Sequence, residues 1–327
     1  MRAFVITGPG RAEVCDVEPP APGPGEVVVA VERAGVCGTD VEFFSGEMPY
    51  LHTGQAQYPM RIGHEWCGRV VRAGAGVDPV WLGRRVTGDS MLGCGHCERC
   101  RAGRQHLCAQ RYEIGIRRGW PGALAELVPV PERALQAIDG LDPARGAMVE
   151  PGANALRAVR AAALAPGERL LVLGPGTIGL LAALMAVDAE VHVLGLDVGF
   201  ARSLGLTAWT ADELPDLRWD AVIDASTGAD LPALAAELVE PGRRVVYIGI
   251  AARPSPVDSR RLTLKDVTAV GVLSGSGALA GAADMYASGR VDPRPLVAAT
   301  VGLAEVAGVL GGDRPAAAPK IHVDPAS

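Results

Sequence analysis

The run Leu170-Leu171-Val172-Leu173 leads directly into Gly174-Pro175-Gly176-Thr177-Ile178-Gly179 and then into the apolar stretch Leu180 to Val187. No other part of the chain restricts its fold as strongly. An apolar strand, a turn spaced G-x-G-x-x-G and an apolar helix make up the first unit of a dinucleotide-binding sheet. In that setting Gly174 permits the tight turn, Gly176 lets the backbone approach a pyrophosphate, and Gly179 lets helix and strand pack closely. The first helical N–H groups, about Thr177 and Ile178, are then free for phosphate oxygens. In a chain with 42 glycines a lone triplet would be weak; the flanking strand and helix make this one a motif.

The pattern around the motif agrees. After Leu141 an alanine-rich helical stretch, Gly146 to Ala163, precedes strand runs at 168–173, 190–194, 220–224, 243–248 and 267–273, with helical runs at 175–185 and 231–238. Strands separated by helices predict a parallel sheet covered on both faces. Before Pro131 the chain reads instead as short β-runs broken by Gly and Pro, at 3–6, 26–32, 68–71, 85–87 and 124–130. The last forty residues, with a helix near Leu279 to Ser288 and a strand at 321–323, are expected to return to the first domain. The expected architecture is α/β in two domains: 1–145 mostly β, 146–284 a doubly wound parallel sheet, and 285–327 the return.

Thirty-one basic and 37 acidic residues leave a formal charge of −6, which argues against a nucleic-acid partner or an anionic membrane surface. No uninterrupted apolar run approaches the ~18 residues of a membrane span, and the N-terminal MRAFVITGPG lacks the apolar core of a signal peptide. These features predict a cytoplasmic protein. Four of the seven cysteines, Cys94, Cys97, Cys100 and Cys108, form C-x2-C-x2-C-x7-C. Four thiolates so spaced can close a tetrahedral shell around one zinc with no open position. Disulfides and an iron–sulfur cluster are the weaker alternatives, the latter because the last gap is seven and Ala109 stands where proline would. His96 and His106, inside this loop, read as exposed residues rather than ligands.

Outside the loop, Cys37, His64 and a carboxylate could supply the mixed ligands of a catalytic zinc, although Cys37 and Cys67 could equally be small buried hydrophobes. Cys37-Gly38-Thr39-Asp40, Gly63-His64-Glu65, the four-cysteine loop, Val149-Glu150-Pro151 and the glycine motif occur in this order. As a set they resemble the zinc-containing medium-chain alcohol dehydrogenases, especially the sorbitol and threonine dehydrogenase branch. The resemblance implies a GroES-like catalytic domain, a Rossmann-type NAD(P) domain, and two zinc ions per chain, one catalytic and one structural. It implies Cys37 and His64 as catalytic zinc ligands, Glu150 where other members place a cysteine, and Glu65 as a second carboxylate able to coordinate directly or through water. Asp40 would orient the ligand histidine, and Thr39 would contact the substrate oxygen and begin a proton relay. A homodimer or homotetramer follows from the same resemblance.

The chain also departs from that pattern. C-G-T-D-x-H continues here as Val41-Glu42, so either Glu42 relays the proton as a carboxylate, or the proton leaves by zinc-bound water, or turnover is slow. Arg157 occupies a position where the polyol branch places a histidine, and the stretch from Gly179 to Val191 is about two residues short. Asp197, 23 residues after Gly174, favours NAD, whereas Gly195 in the same slot with Arg202 nearby would admit NADP. The loop 47–60, with Tyr50, His52, Thr53, Gln55, Gln57 and Tyr58, is expected beside the substrate. The expected reaction interconverts a secondary alcohol of a polyol, sugar, cyclitol or amino alcohol with its ketone. A zinc-independent enoyl or quinone reductase and a redox-inactive scaffold binding nucleotide and zinc are the rival readings.

Overall fold

The computed structural model describes residues 1–313 and 315–327, which form two compact units: Met1–Glu150 with Leu279–Ser327, and Pro151–Ala278. These limits differ by a few residues from the boundaries expected at 145/146 and 284/285. The helix Leu279–Ala287 belongs wholly to the first unit, where the hydroxyl of buried Tyr286 donates to the Met148 carbonyl at 3.2 Å.

The first unit is built on a seven-stranded sheet. Its order is Val297–Val301, Lys320–Val323, Glu26–Val36, Glu65–Ala73, Arg85–Gly88 and Leu135–Ala137, with Leu127–Pro131 paired separately to Glu26–Val36. Every pairing is antiparallel except the first. The registers His322 opposite Gly35 and Gly35 opposite Glu65 place those residues in one row across three strands. A Cβ on Gly35 would lie 2.1 Å from Glu65 Oε2 and displace the carboxylate that Lys320 holds, so glycine leaves room for this pair. The core beneath the sheet includes Phe4, Val29, Trp66, Val70, Leu124 and Ile321.

The second unit is a six-stranded parallel sheet in the order Thr207–Trp209, Glu190–Leu194, Arg169–Leu173, Trp219–Asp224, Val239–Tyr247 and Thr268–Gly271. By chain position this is 3-2-1-4-5-6, the doubly wound dinucleotide order. The central strand is apolar and buried from Leu170 onward, as a strand covered on both faces requires. Trp219, Val222 and Val245 pack with Leu171 and Leu173. The edge strand Thr207–Trp209 went unread because three residues carry no period, and Val297–Val301 because only Lys320–Val323 makes it a strand.

Candidate active site

Cys37 ends the central strand of the first unit and stands at the N-terminus of the helix Gly38–Ser45. Three residues on, Asp40 is fully buried and reaches back: its Oδ2 accepts from the Cys37 N–H at 2.9 Å, and its Oδ1 from the Gly63 N–H at 3.3 Å. The same Oδ1 lies 3.8 Å from His64 Nδ1, an electrostatic contact longer than a hydrogen bond. Asp40 thus ties the backbone at Cys37 to the segment carrying His64. Burial lowers the pKa of His64, but the Cys37 sulfur and the carboxylates of Asp40 and Glu150 outweigh it and leave the imidazole well above its usual range. Thr39, half-buried, occupies the first turn of the same helix; Glu42 follows, also half-buried, its pKa raised by burial and by Glu47.

Cys37, His64 and Glu65 each bring a ligand atom to within 4.8 Å of the others. Glu65 is engaged on its far side: both carboxylate oxygens accept from Lys320 Nζ, at 2.8 and 2.6 Å, and Nζ also donates to the Val36 carbonyl at 2.9 Å. Both residues are 2% exposed. Burial alone would lower the Lys320 pKa; the Glu65 charge raises it above the ordinary lysine value. Glu150, buried in the first turn of the helix Val149–Ala162, accepts from the Ser90 hydroxyl at 3.4 Å. Sequence reasoning missed both Lys320 and Ser90. Only two lysines occur in the chain, so one within an apolar strand run was the available signal for the first; a lone serine gave none.

Cys67 stands apart. Its Sγ donates to the Pro143 carbonyl at 3.2 Å, burial pushes its pKa far up, and it packs as a small core residue. Cys94, Cys97, Cys100 and Cys108 also gather, with ligand sulfurs within 4.8 Å of one another and no disulfide among them. Backbone N–H groups of His96 and Cys97 lower Cys94 to about 6, which favours the thiolate that metals bind. His96 is exposed, but His106, expected to be exposed, is buried at 7% because the short 3₁₀ turn Gln105–Leu107 folds it inward.

In the second unit the glycine turn follows the central strand at the carboxyl edge of the sheet. Gly174 has φ +95°, a conformation that favours glycine. A Cβ on Gly179 would lie 1.9 Å from the Gly174 carbonyl oxygen, so close packing of helix on turn demands glycine there. Gly176, at the N-terminus of the helix Thr177–Met185, is exposed and faces open space, with Thr177 and Ile178 in the first turn. Gly195 ends the neighbouring strand against Pro175, whose ring a Cβ would meet at 2.5 Å. Asp197 is exposed two residues later, its Oδ1 accepting from the Gly199 N–H at 2.9 Å. Arg202 is committed elsewhere, donating to the Ala208 carbonyl at 2.9 and 3.0 Å and to Glu213 at 2.6 Å. Arg157 donates to the Leu273 and Ser274 carbonyls, holding a loop of its own unit.

The loop 47–60 is more self-satisfied than expected. The short helix Pro49–His52 crosses it, Tyr58 donates to the Phe43 carbonyl at 2.6 Å, Thr53 to the Pro49 carbonyl at 3.1 Å, and the His52 ring contacts the Gly46 carbonyl at 3.1 Å. Tyr50 alone of these joins a charged cluster, with Arg111, Glu113 and Arg117.

Residues 23–140 match the family model of the alcohol dehydrogenase GroES-like domain. The chain is 31% identical over 304 residues to L-galactonate-5-dehydrogenase of Escherichia coli K12, covering 84% of this chain and 86% of that one. It is 33% identical over 291 residues to L-threonine 3-dehydrogenase of Saccharopolyspora erythraea, covering 83% of each. Among solved structures, a zinc-binding dehydrogenase from Sinorhizobium meliloti bound to NADP superposes with a TM-score of 0.89 at 30% identity, and an alcohol dehydrogenase from E. coli complexed with NADH with 0.90 at 25%; each match covers 99% of both chains. The chain belongs to the zinc-containing medium-chain alcohol dehydrogenase family, in its sorbitol and threonine dehydrogenase-like branch. It is an NAD(P)-linked alcohol or polyol dehydrogenase, and none of its described helices is long and apolar enough to cross a membrane.

Proposed function

We propose that the chain interconverts a secondary alcohol of a small, polar, hydroxylated substrate with its ketone, using a zinc ion held by Cys37, His64 and Glu150 and NAD seated at Gly174, Gly176 and Gly179. The convergence of Cys37 and His64 with buried acids carries this reading. A half-buried thiol, a buried imidazole and the buried Glu65 carboxylate within 4.8 Å of one another, with the Glu150 charge acting on His64, form the mixed donor set that suits zinc. Lys320 already takes both Glu65 oxygens, which makes Glu65 the poorer ligand, whereas Glu150 accepts from the Ser90 hydroxyl and its charge acts on His64. The four-cysteine loop would hold a second, structural zinc.

When bound, the catalytic zinc supplies Lewis acidity that lowers the pKa of a coordinated hydroxyl. The protein's own groups do the rest. Asp40 fixes Cys37 and the His64 segment, Thr39 would receive the substrate hydroxyl proton while giving up its own in the same relay, and Glu42, with a pKa raised by burial, would be the acceptor on the way to solvent. The exposed backbone at Gly176, with Thr177 and Ile178, receives the cofactor phosphates. NAD is favoured over NADP because Asp197 offers an acid beyond the second strand and Arg202 is already occupied by Ala208 and Glu213. Assembly through the second unit as a homodimer or homotetramer is supported by its exposed edge strand Thr268–Gly271 and by Leu264 and Ile250, 86% and 74% exposed.

Zinc content per chain, measured for wild type and His64→Ala together with hydride transfer to NAD and NADP, tests the reading. Near two zincs in wild type, near one in the variant and loss of hydride transfer are expected. Equal zinc in both, with activity retained, would refute it.

A further inference from the structure

The cluster around Tyr50 has more positive charge than it uses. Glu113 is 2% exposed, and its Oε1 accepts from Arg111 Nε at 2.8 Å and, more weakly, from the Tyr50 hydroxyl at 3.5 Å. The same oxygen lies 3.7 Å from Arg117 Nη1, and Arg111 Nη2 reaches the Tyr50 hydroxyl at 3.4 Å. The two arginine side chains are only 14% and 11% exposed. One carboxylate therefore serves two guanidinium groups, leaving a net cation largely out of water. Arg117 is the less satisfied. Its carboxylate contact exceeds hydrogen-bond length, its Nε is buried with no partner among the described residues, and its guanidinium lies over the face of the Tyr50 ring, 5.6 Å from the centroid. A guanidinium donor withdrawn from water and left unpaired is costly, so a native site that keeps one beside a surplus positive charge calls for a partner.

This cluster is anchored to the candidate active site at two points. Glu113 pairs with Met91 across a short two-stranded ladder, and the Ile114 N–H donates to the carbonyl of Ser90, whose hydroxyl holds Glu150. Gly115 lies directly on Gly63, where a Cβ would meet the Gly63 oxygen and nitrogen at 2.7 and 2.8 Å, one residue before His64. The arginines thus stand on backbone fixed to Ser90, which holds Glu150, and to Gly63, which precedes His64.

We propose that the substrate is an anion, and that Arg117, with Arg111, binds its carboxylate or phosphate monoester group while the alcohol carbon lies toward Cys37 and His64. Planar guanidinium forks suit both oxyanions. Glu113 positions the pair without neutralising it. The inference deepens the dehydrogenase reading above and rests on it for the position of the reacting carbon, but the anion site is testable alone.

Two measurements test it on the zinc-loaded protein. Calorimetric titration with inorganic phosphate and with glycolate reads the anion site directly and separates the phosphate from the carboxylate source. Initial rates on matched alcohols, a polyol against its monophosphate and against its aldonic acid, read the preference in kcat/KM. Wild type should favour one anionic member by about 10- to 100-fold, the range of a charge-assisted contact. That ratio should collapse toward one in Arg117→Gln and be partly retained in Arg117→Lys, with binding of the matching probe lost in parallel. Should Arg117→Gln fail to fold, judged by its thermal midpoint and NADH binding, Arg111→Gln and Arg117→Lys carry the comparison. Oxidation of neutral and anionic alcohols alike, with no arginine-dependent binding of either probe, would overturn the inference and leave the dehydrogenase reading intact. Arginine-dependent probe binding without oxidation of any alcohol would sustain the anion site and overturn the dehydrogenase reading instead.

Discussion

Replacing Lys320 by methionine removes a buried ammonium that makes three hydrogen bonds, two to Glu65 and one to the Val36 carbonyl, at a position 2% exposed. What remains is a carboxylate, also 2% exposed, without its counter-charge. Breaking a buried pair by deleting one member costs about 3–5 kcal/mol, because the surviving charge stays desolvated. For a unit of roughly two hundred residues each kcal/mol moves the thermal midpoint by about 2–4 °C, so Lys320→Met should lower the midpoint of the first unit by roughly 6–20 °C. The double variant Glu65→Gln/Lys320→Met removes both charges and should recover much of that loss, since exchanging a buried pair for neutral groups is often close to neutral. The assay is thermal and urea unfolding of wild type, both single variants and the double, arranged as a double-mutant cycle. A loss under about 1 kcal/mol for Lys320→Met, or a double variant no more stable than the worse single one, would refute the claim that this pair is buried and coupled.

His322 is fully buried, neither ring nitrogen has a partner among the described residues, and burial together with the Lys320 and Arg33 charges pushes its pKa down to about 3. The folded value lies below the unfolded one, near 6.5, so the unfolded chain takes up a proton the folded chain refuses. Stability should therefore be full above about pH 6.5 and fall as the pH drops toward 3; in His322→Leu the slope of urea stability against pH over that window should decrease by about one proton. Gly179→Ala places a Cβ 1.9 Å from the Gly174 carbonyl oxygen, a backbone atom that cannot swing aside; NADH affinity, read by fluorescence titration, should fall by about tenfold or more, and an unchanged affinity would contradict this packing. Cys97→Ser should remove one zinc per chain by elemental analysis and open the loop 94–108 to proteolysis, because three sulfurs no longer close a tetrahedral shell; unchanged zinc content would exclude a four-sulfur site.

What the sequence by itself determined was local. G-x-G-x-x-G between an apolar strand and helix and C-x2-C-x2-C-x7-C each place their chemistry within a short stretch of chain, so spacing alone carries the geometry, whereas Cys37 and His64 gained their roles from the resemblance that the ordered motifs carry. The parallel sheet was legible because its strands carry apolar cores, Leu170 to Leu173 and Ala221 to Ile223, separated by helical runs. Only the tertiary structure decided how these pieces are completed. Lys320 meets Glu65 across 255 positions and Ser90 meets Glu150 across 60. Those meetings follow from strand register, here the row His322, Gly35 and Glu65, and from which loop lies on which strand. Hydrophobic periodicity states which face a residue occupies but not which partner stands opposite, since a strand shifted by two residues keeps the same face buried while every pair changes. The arginines on Glu113 were hidden for that reason, as were the commitments that draw Arg202 toward Glu213 and Glu65 toward Lys320.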